Sequence, residues 1–109
     1  MYVAGDILLI PFPFTEHTGA KKVRPSVVVC ETADSYRDIV VCAISSVVPG
    51  TLNSNEILLQ PDSANNLRKV SVLKTDRIVT VKAKDVIAQL GSLNAADLAT
   101  FKAKFKALL

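Results

Sequence analysis

Histidine and cysteine are scarce in this 109-residue sequence, which holds one histidine, two cysteines and no Cys-x-x-Cys pair. A structural zinc site takes about four such ligands at short spacings, so we expect neither a metal nor another cofactor. Cys30 and Cys42 both lie inside apolar segments. We predict two buried, free thiols in a reducing compartment, with a disulfide between neighbouring strands as the less favoured alternative.

Long apolar segments are also lacking, because no run approaches the roughly 20 residues that a membrane-spanning helix requires. The N-terminus carries Asp6 early and has no basic region, so no secretion signal is indicated. We therefore expect a cytoplasmic protein made of one domain, residues 1–109. The net charge of +3 permits a nucleic acid or an acidic partner without requiring either, and the small size favours a dimer.

Short strand-like segments, rich in valine, isoleucine and leucine, make up most of the chain. The longest runs from Lys69 to Val81, and strict alternation along it places Val70, Val72, Lys74 and Asp76 on one side and Ser71, Leu73, Thr75 and Arg77 on the other. The predicted strands are "GDILLIPF", "PSVVVCE", "RDIVVCAIS", "NEILLQP", "KVSVLKTDRIVTV" and, as a further candidate, "VIAQLGSL".

A helix is predicted only at the C-terminal end. Asn94 is a suitable N-cap residue, and Asp97 in the first turn suits the helix dipole. Apolar residues then recur at three- and four-residue steps, as Leu98, Phe101, Phe105 and Leu108. Five or six short strands followed by one helix predict a mainly β fold, a small and strongly bent barrel or half-barrel. Periodicity leaves SH3-like and OB-like barrels open.

Two prolines and a cationic cluster interrupt the first part of this pattern. Pro11 and Pro13 are two residues apart, so their missing N–H groups face the same neighbour, and we expect the first strand to end there as an edge. The polar segment "TEHTGAKKV" follows and predicts a surface loop. Lys21, Lys22 and Arg24 lie at its end. Arg24 precedes Pro25, which favours an extended backbone and a fixed position for a guanidinium that can hold a phosphate.

These segments resemble the MazF/PemK family of toxin endoribonucleases from toxin–antitoxin pairs. The resemblance rests on "GDILLIPFPFT", "KKVRPSVVV", "IVVCAISS", "VSVLKTDRIVTV" and the terminal "IAQLGSLNAADLATFKAKFKALL", which together cover nearly the whole chain. It implies a bent SH3-like barrel, a homodimer and cleavage of single-stranded RNA, mRNA above all, without metal. In the implied reaction the ribose 2′-hydroxyl attacks the adjacent phosphate, and the products carry a 2′,3′-cyclic phosphate and a 5′-hydroxyl. The resemblance also implies an antitoxin protein that blocks the RNA groove.

The resemblance also implies a set of catalytic residues. The arginine of the family's Arg-Pro motif matches Arg24, and the hydroxyl residue that ends its third strand matches Ser45, with Ser46 as the nearest substitute. One branch of the family uses an Arg-x-Asp motif on a later strand, which corresponds here to Lys74 and Asp76, so a lysine replaces the arginine. The same branch uses a histidine of the first loop, which matches His17.

The chemistry assigns roles to these candidates. Arg24 is the cation for the developing phosphorane, Ser45 donates to a phosphate oxygen, Asp76 or Glu16 is the base, and His17 is a base or an acid. The residues expected to bind the substrate are Thr15, Glu16, Lys21, Lys22, Ser46 and Arg77.

Two alternatives remain open from the sequence. The substitution of lysine for arginine at Lys74 is compatible with a member that cleaves weakly or only binds RNA, DNA or an antitoxin-like peptide. The same barrel also occurs in gyrase-poisoning toxins of the CcdB family, whose activity would depend on C-terminal residues and not on Arg24.

Overall fold

The computed structural model describes residues 1–13 and 21–109. Six strands within these ranges form one antiparallel sheet in the order β4-β5-β3-β2-β1-β6, which curls into a half-barrel closed by one C-terminal helix. The mainly β prediction is therefore confirmed. A single 3-10 turn lies between β5 and β6. The elements are β1 Asp6–Pro13, β2 Lys21–Glu31, β3 Ile39–Ser45, β4 Glu56–Leu59, β5 Ser71–Val81, β6 Ala88–Ser92 and α1 Ala95–Lys106.

Apolar side chains cover both faces of the sheet, because successive residues of a strand point to opposite sides. On β2, Val27 belongs to the core beneath α1, whereas Val28 belongs to a second cluster on the opposite face, and both are fully buried. We call the side that carries Val28 the outer face. Its buried members are Leu8, Ile10, Val28, Ile39, Val41 and Ala43.

Helix α1 begins as its sequence predicts, but it ends at Lys106, so Leu108 of the predicted stripe lies beyond it. The side-chain oxygen of Asn94 accepts a hydrogen bond of 2.8 Å from the backbone N–H of Asp97. Phe101 is buried against the sheet, and Leu98 and Phe105 pack partly buried around the same core. The apolar stripe therefore closes one side of the half-barrel.

The prolines of β1 act on one flank of the strand but do not end it. β1 continues through Pro13 because residues 10–13 pair with Lys21–Arg24 of β2, so β2 begins four residues earlier than predicted. The prediction of an edge strand is wrong for Asp6–Leu9, which also pair with β6. The carbonyl of Leu9 accepts the N–H of Ile87, so Pro11 and Pro13 face the same flank, where the pairing with β6 has ended.

Strand β5 departs from the predicted alternation. Ala43 of β3 pairs with Lys74, but the preceding Cys42 pairs with Ile78, so residues 75–77 form a bulge without β3 partners. Thr75 is fully buried, whereas Asp76 and Arg77 are both exposed. Val70 lies before the strand. The predicted face of four residues is therefore correct only for Val72 and Lys74.

The segment between β4 and β5 is attached to the start of α1 through Asp62. Its carboxylate accepts hydrogen bonds from the backbone N–H groups of Asn65 and Ala64 and from the side-chain amide of Asn94. These donors, led by that of Asn65 and then Asn94, lower the pKa of Asp62 below its usual value. Gly91 lies beneath this segment, where a Cβ would overlap the carbonyl oxygen of Ala64.

We expect an Asp62→Asn protein to unfold at lower urea concentration than the native protein at neutral pH. A carboxylate with a lowered folded-state pKa contributes stability above its unfolded pKa, near 3.8, and loses that contribution as the pH falls through the folded value. The difference between the two proteins should therefore narrow in acid. Urea titrations at neutral and acidic pH measure it, and a difference that is the same at both would contradict the assignment.

The two cysteines lie in unlike environments, and both are free. Burial, and secondarily the negative charge of Asp76, raises the pKa of Cys42 to about 12. Cys30 is exposed, so the prediction of two buried thiols is wrong for it. Cys30 follows the β-bulge that shifts the β2–β3 register after Val28, and its side chain reaches solvent near the end of β2.

Iodoacetamide at about pH 8 should therefore alkylate Cys30 alone in the folded protein, because the thiolate is the reacting form and Cys42 is buried and protonated. Both thiols should react after denaturation. Mass spectrometry of the intact protein counts the added groups. Modification of Cys42 under native conditions would show that this part of the sheet opens.

Candidate active site

The beginning of β2 does not pair with the end of β3, and Pro25 is the cause. The carbonyl of Val28 accepts the N–H of Gly5, so the backbone groups of Val28, Ser26 and Arg24 face β1. Those of Val27 and Pro25 consequently face β3, and Pro25 has no N–H to donate. The β2–β3 register accordingly ends at Ser26 and Ala43, before it reaches Arg24 and Ser45. The position of one proline thus opens the sheet beside Arg24.

A pocket of about 240 Å³ occupies this opening. Arg24 is half-buried at its wall, and Ser46, on the β3 side, is exposed. Ser45 does not line the pocket. Its hydroxyl oxygen accepts the backbone N–H of Val47 at 3.1 Å and so supports the turn after β3. The lining residues are Val23, Arg24, Pro25, Ile44, Ser46 and Ser71.

The register places further polar residues on the outer face. Arg24 pairs with Ile10, and both lie on the side that carries Val28. Ser45 and Lys74 lie on the same side, because Ser45 is two residues from Ala43 and Lys74 pairs with Ala43. With strands about 4.8 Å apart, β2 and β5 are roughly 10 Å apart across β3. The predicted residues Arg24, Ser45 and Lys74 therefore share one surface.

Lys74 pairs with a carboxylate that is not among the predicted site residues. Its Nζ lies 3.6 Å from Oε2 of Glu56, which is directly opposite on β4 and only 8% exposed. Lys74 thus forms a cross-strand pair with β4, although Asp76 lies only two residues further along β5. Asp76 instead accepts a 3.3 Å hydrogen bond from the side-chain amide of Asn55. Glu56 and Asn55 belong to no recognisable sequence motif, and only the β4–β5 register shows that they meet Lys74 and Asp76.

The remaining predicted residues are divided between the described and undescribed parts of the chain. Arg77 is exposed in the β5 bulge. Lys21 and Lys22 belong to β2, whose pairing with β1 places their backbone next to Pro13 and Phe12. Thr15, Glu16 and His17 lie outside the described residues.

Across residues 1–13 and 21–109, His, Cys, Asp and Glu side chains form no group of three that could hold a metal ion. In the part of the chain that the structure describes, no helix is long and apolar enough to cross a bilayer.

The family comparison matches residues 4–109, almost the whole chain. The chain belongs to the family of PemK-like, MazF-like toxins of type II toxin–antitoxin systems. None of the curated proteins matches it in sequence.

Solved structures share the fold. MazF from Deinococcus radiodurans is 24% identical with a TM-score of 0.70, and the match covers 98% of this chain and 94% of that one. The MazE–MazF complex from the same organism is 20% identical, with a TM-score of 0.73 and the same coverages. An endoribonuclease in complex with its cognate antitoxin, from a mycobacterial species, is 13% identical, with a TM-score of 0.72 and coverages of 98% and 93%. These likenesses establish the SH3-like, MazF-type half-barrel.

Proposed function

We propose that this toxin is a metal-independent endoribonuclease that cleaves single-stranded RNA, mRNA in particular, at short sequences. The observation that carries the proposal is Arg24, held half-buried on an extended strand beside the opening that Pro25 creates. A guanidinium fixed in this way suits a phosphodiester, because its planar donors can contact two phosphate oxygens. Family membership and the named endoribonucleases among the structural neighbours support the assignment.

The proposed reaction is an in-line attack within the RNA. The 2′-oxygen attacks the adjacent phosphorus and loses its proton to a base, while the bond to the 5′-oxygen breaks and that oxygen takes a proton from an acid. A 2′,3′-cyclic phosphate and a 5′-hydroxyl result. A phosphodiester that lies over β3 is within reach of both Arg24 on β2 and Lys74 on β5, so two cations can stabilise the phosphorane.

The reaction needs a base and an acid for its two proton transfers. Asp76 is the proposed base, because it is exposed in the β5 bulge, two residues after Lys74. Glu16 and His17, from the preceding segment of the chain, are the other candidates for base and acid. Ser45 has its oxygen engaged as an acceptor, so its hydroxyl hydrogen is available to a phosphate oxygen.

Binding of the RNA chain would extend beyond the reacting phosphate. Ser46 lines the pocket next to Arg24, and Arg77 projects from the β5 bulge, so both can contact flanking nucleotides. The other residues proposed to bind the substrate are Thr15, Glu16, Lys21 and Lys22.

The proposed partners follow from family and charge. We infer a cytoplasmic homodimer that is neutralised by an antitoxin, as the antitoxin complexes of its structural neighbours suggest. A net charge of +3 and the cations of the site favour an antitoxin segment that is acidic. Light scattering at micromolar concentration tests the dimer, and a monomer would contradict it.

The chemistry of the RNA ends tests the proposed reaction. Purified protein is incubated with mixed single-stranded RNAs in EDTA, and the products are probed for 2′,3′-cyclic phosphate and 5′-hydroxyl ends. Both ends are expected, together with growth arrest on expression. Salt-sensitive binding without cleavage would favour the binding-only alternative. Inhibition of a topoisomerase that survives Arg24→Ala would favour the gyrase-directed one.

A further inference from the structure

We propose that the turn formed by residues 53–56, through Asn55 and Glu56, positions the Lys74–Thr75–Asp76 triplet for catalysis. This inference rests on the proposed ribonuclease function and adds two positioning residues to it. Neither side chain is assigned to contact the RNA. Asn55 acts through Asp76, and Glu56 acts through Lys74.

The need for such support comes from the β5 bulge. Thr75 and Asp76 have no partners on β3, because the register passes from Lys74 directly to Ile78. The 53–56 turn holds the bulge from the opposite flank of β5, where it extends the β4–β5 pairing by one residue beyond Glu56 and Lys74. The backbone carbonyl of Asn55 accepts both the N–H of Thr75, at 3.0 Å, and its side-chain hydroxyl, at 2.8 Å. The triplet backbone is therefore attached to this turn at its centre.

Asn55 also holds the functional group of Asp76. Its side-chain Nδ2 donates a 3.3 Å hydrogen bond to Oδ2 of Asp76, which leaves Oδ1 available as the proton acceptor. The position of Asn55 is itself fixed, because its backbone N–H donates to Oδ1 of Asn53 at 2.8 Å. A single rigid residue thus restrains both rotation of the Asp76 carboxylate and the path of the bulge.

Glu56 restrains Lys74 in a corresponding way. One carboxylate oxygen, Oε1, accepts the N–H of Asn53 at 3.0 Å, and the other, Oε2, lies 3.6 Å from the Lys74 ammonium. A carboxylate that is only 8% exposed is costly unless it is paired, so the contact with Lys74 is strongly favoured. Lysine lacks the planar fork of arginine and has a flexible stem. Glu56 therefore supplies the orientation that the lysine side chain lacks.

The test compares single and double variants in RNA cleavage. Asn55→Ala removes the bond to Asp76 but keeps both contacts to Thr75, because these use the main-chain carbonyl. Glu56→Gln removes the charge facing Lys74 while it retains the side-chain shape. We expect each to lower kcat by about 10- to 100-fold, as for a reacting group displaced by about 1 Å, with KM nearly unchanged.

The double variants distinguish positioning from general damage. Asn55→Ala should lower kcat no further when Asp76→Ala is already present, and Glu56→Gln should likewise add nothing to Lys74→Ala. Asn66→Gly and Glu31→Gln are matched controls away from the triplet. Asn66→Gly removes the contact to the carbonyl of Leu90 at a φ of 53°, which glycine tolerates, and Glu31→Gln removes the charge that faces the N–H of Tyr2 while it keeps an acceptor there. Both controls should retain native kcat.

The other possible outcomes separate failure of the positioning role from failure of the proposed ribonuclease function. Losses that multiply in the double variants would overturn the positioning role while the ribonuclease function stands. Full activity of Asp76→Ala and Lys74→Ala would remove the triplet from the mechanism, and a native protein that leaves every RNA intact would overturn function and inference together. If Asn55→Ala fails to fold, Asn55→Asp keeps the turn and sets a carboxylate against Asp76, so it should show the same Asp76-dependent loss.

Discussion

An Arg24→Ala protein should cleave single-stranded RNA about 10²- to 10³-fold more slowly than the native protein, the usual cost of losing one fixed donor to a developing negative charge. The loss should appear in kcat, because the guanidinium contributes most when charge accumulates on the phosphorane. Arg24→Lys should recover only part of the rate, since lysine keeps the charge without the two-pronged geometry. Single-turnover cleavage of a labelled RNA measures both rates.

The matched control is Arg37→Asn, which removes an arginine that is exposed, whereas Arg24 is half-buried. Arg37 precedes β3 at the end opposite Ser45, so it lies about 20 Å from the site by strand length. Its backbone has a φ of 55°, which asparagine tolerates well. This variant should cleave at the native rate. An Arg24→Ala protein that also cleaves at the native rate would show that the site lies elsewhere on the barrel.

A Phe101→Ala protein should lose about 3–5 kcal/mol of unfolding free energy, the cost of removing a buried aromatic side chain without refilling its space. Phe101 is 2% exposed and is the largest fully buried side chain among the residues whose burial the structure describes, set between α1 and the sheet. The whole domain is expected to be stable by only about 5–15 kcal/mol, so this change approaches the limit of folding. Urea unfolding followed by circular dichroism measures it.

Lys102→Ala, on the exposed side of the same helix, is the control and should change the unfolding free energy by less than about 0.5 kcal/mol. A small loss in Phe101→Ala would mean that α1 contributes little to the stability of the sheet. In that case the half-barrel would be stable largely without its closing helix.

Local chemistry made much of the fold predictable. The helix follows from Asn94 and the stripe through Phe101, because capping and amphipathic spacing act within a few residues. The strands follow from their β-branched composition. The β5 bulge does not, since it depends on how β3 and β5 align after the chain has folded. The exposure of Cys30 was missed for the same reason, because a second bulge lies beside it.

The candidate site likewise contains residues that the sequence predicts and residues that it does not. Arg24 is predictable because Pro25 fixes its neighbour's backbone, and the opening of the sheet follows from a missing N–H. Asn55 and Glu56 are not predictable, because only the register of β4 with β5 brings them to Asp76 and Lys74. The partners in these two contacts are 21 and 18 residues apart in the sequence. Individual site residues can thus be found from sequence, whereas their supports require the tertiary structure.

The paired prolines of β1 have a consequence for self-association. Where β6 ends, residues 10–13 have no strand partner on that flank within residues 1–13 and 21–109, and Pro11 and Pro13 offer no N–H there. Such a flank is a poor template for an added strand from another chain. High local concentrations of the toxin should therefore not lead to edge-to-edge stacking through this strand, so the end of the sheet that carries Arg24 stays accessible.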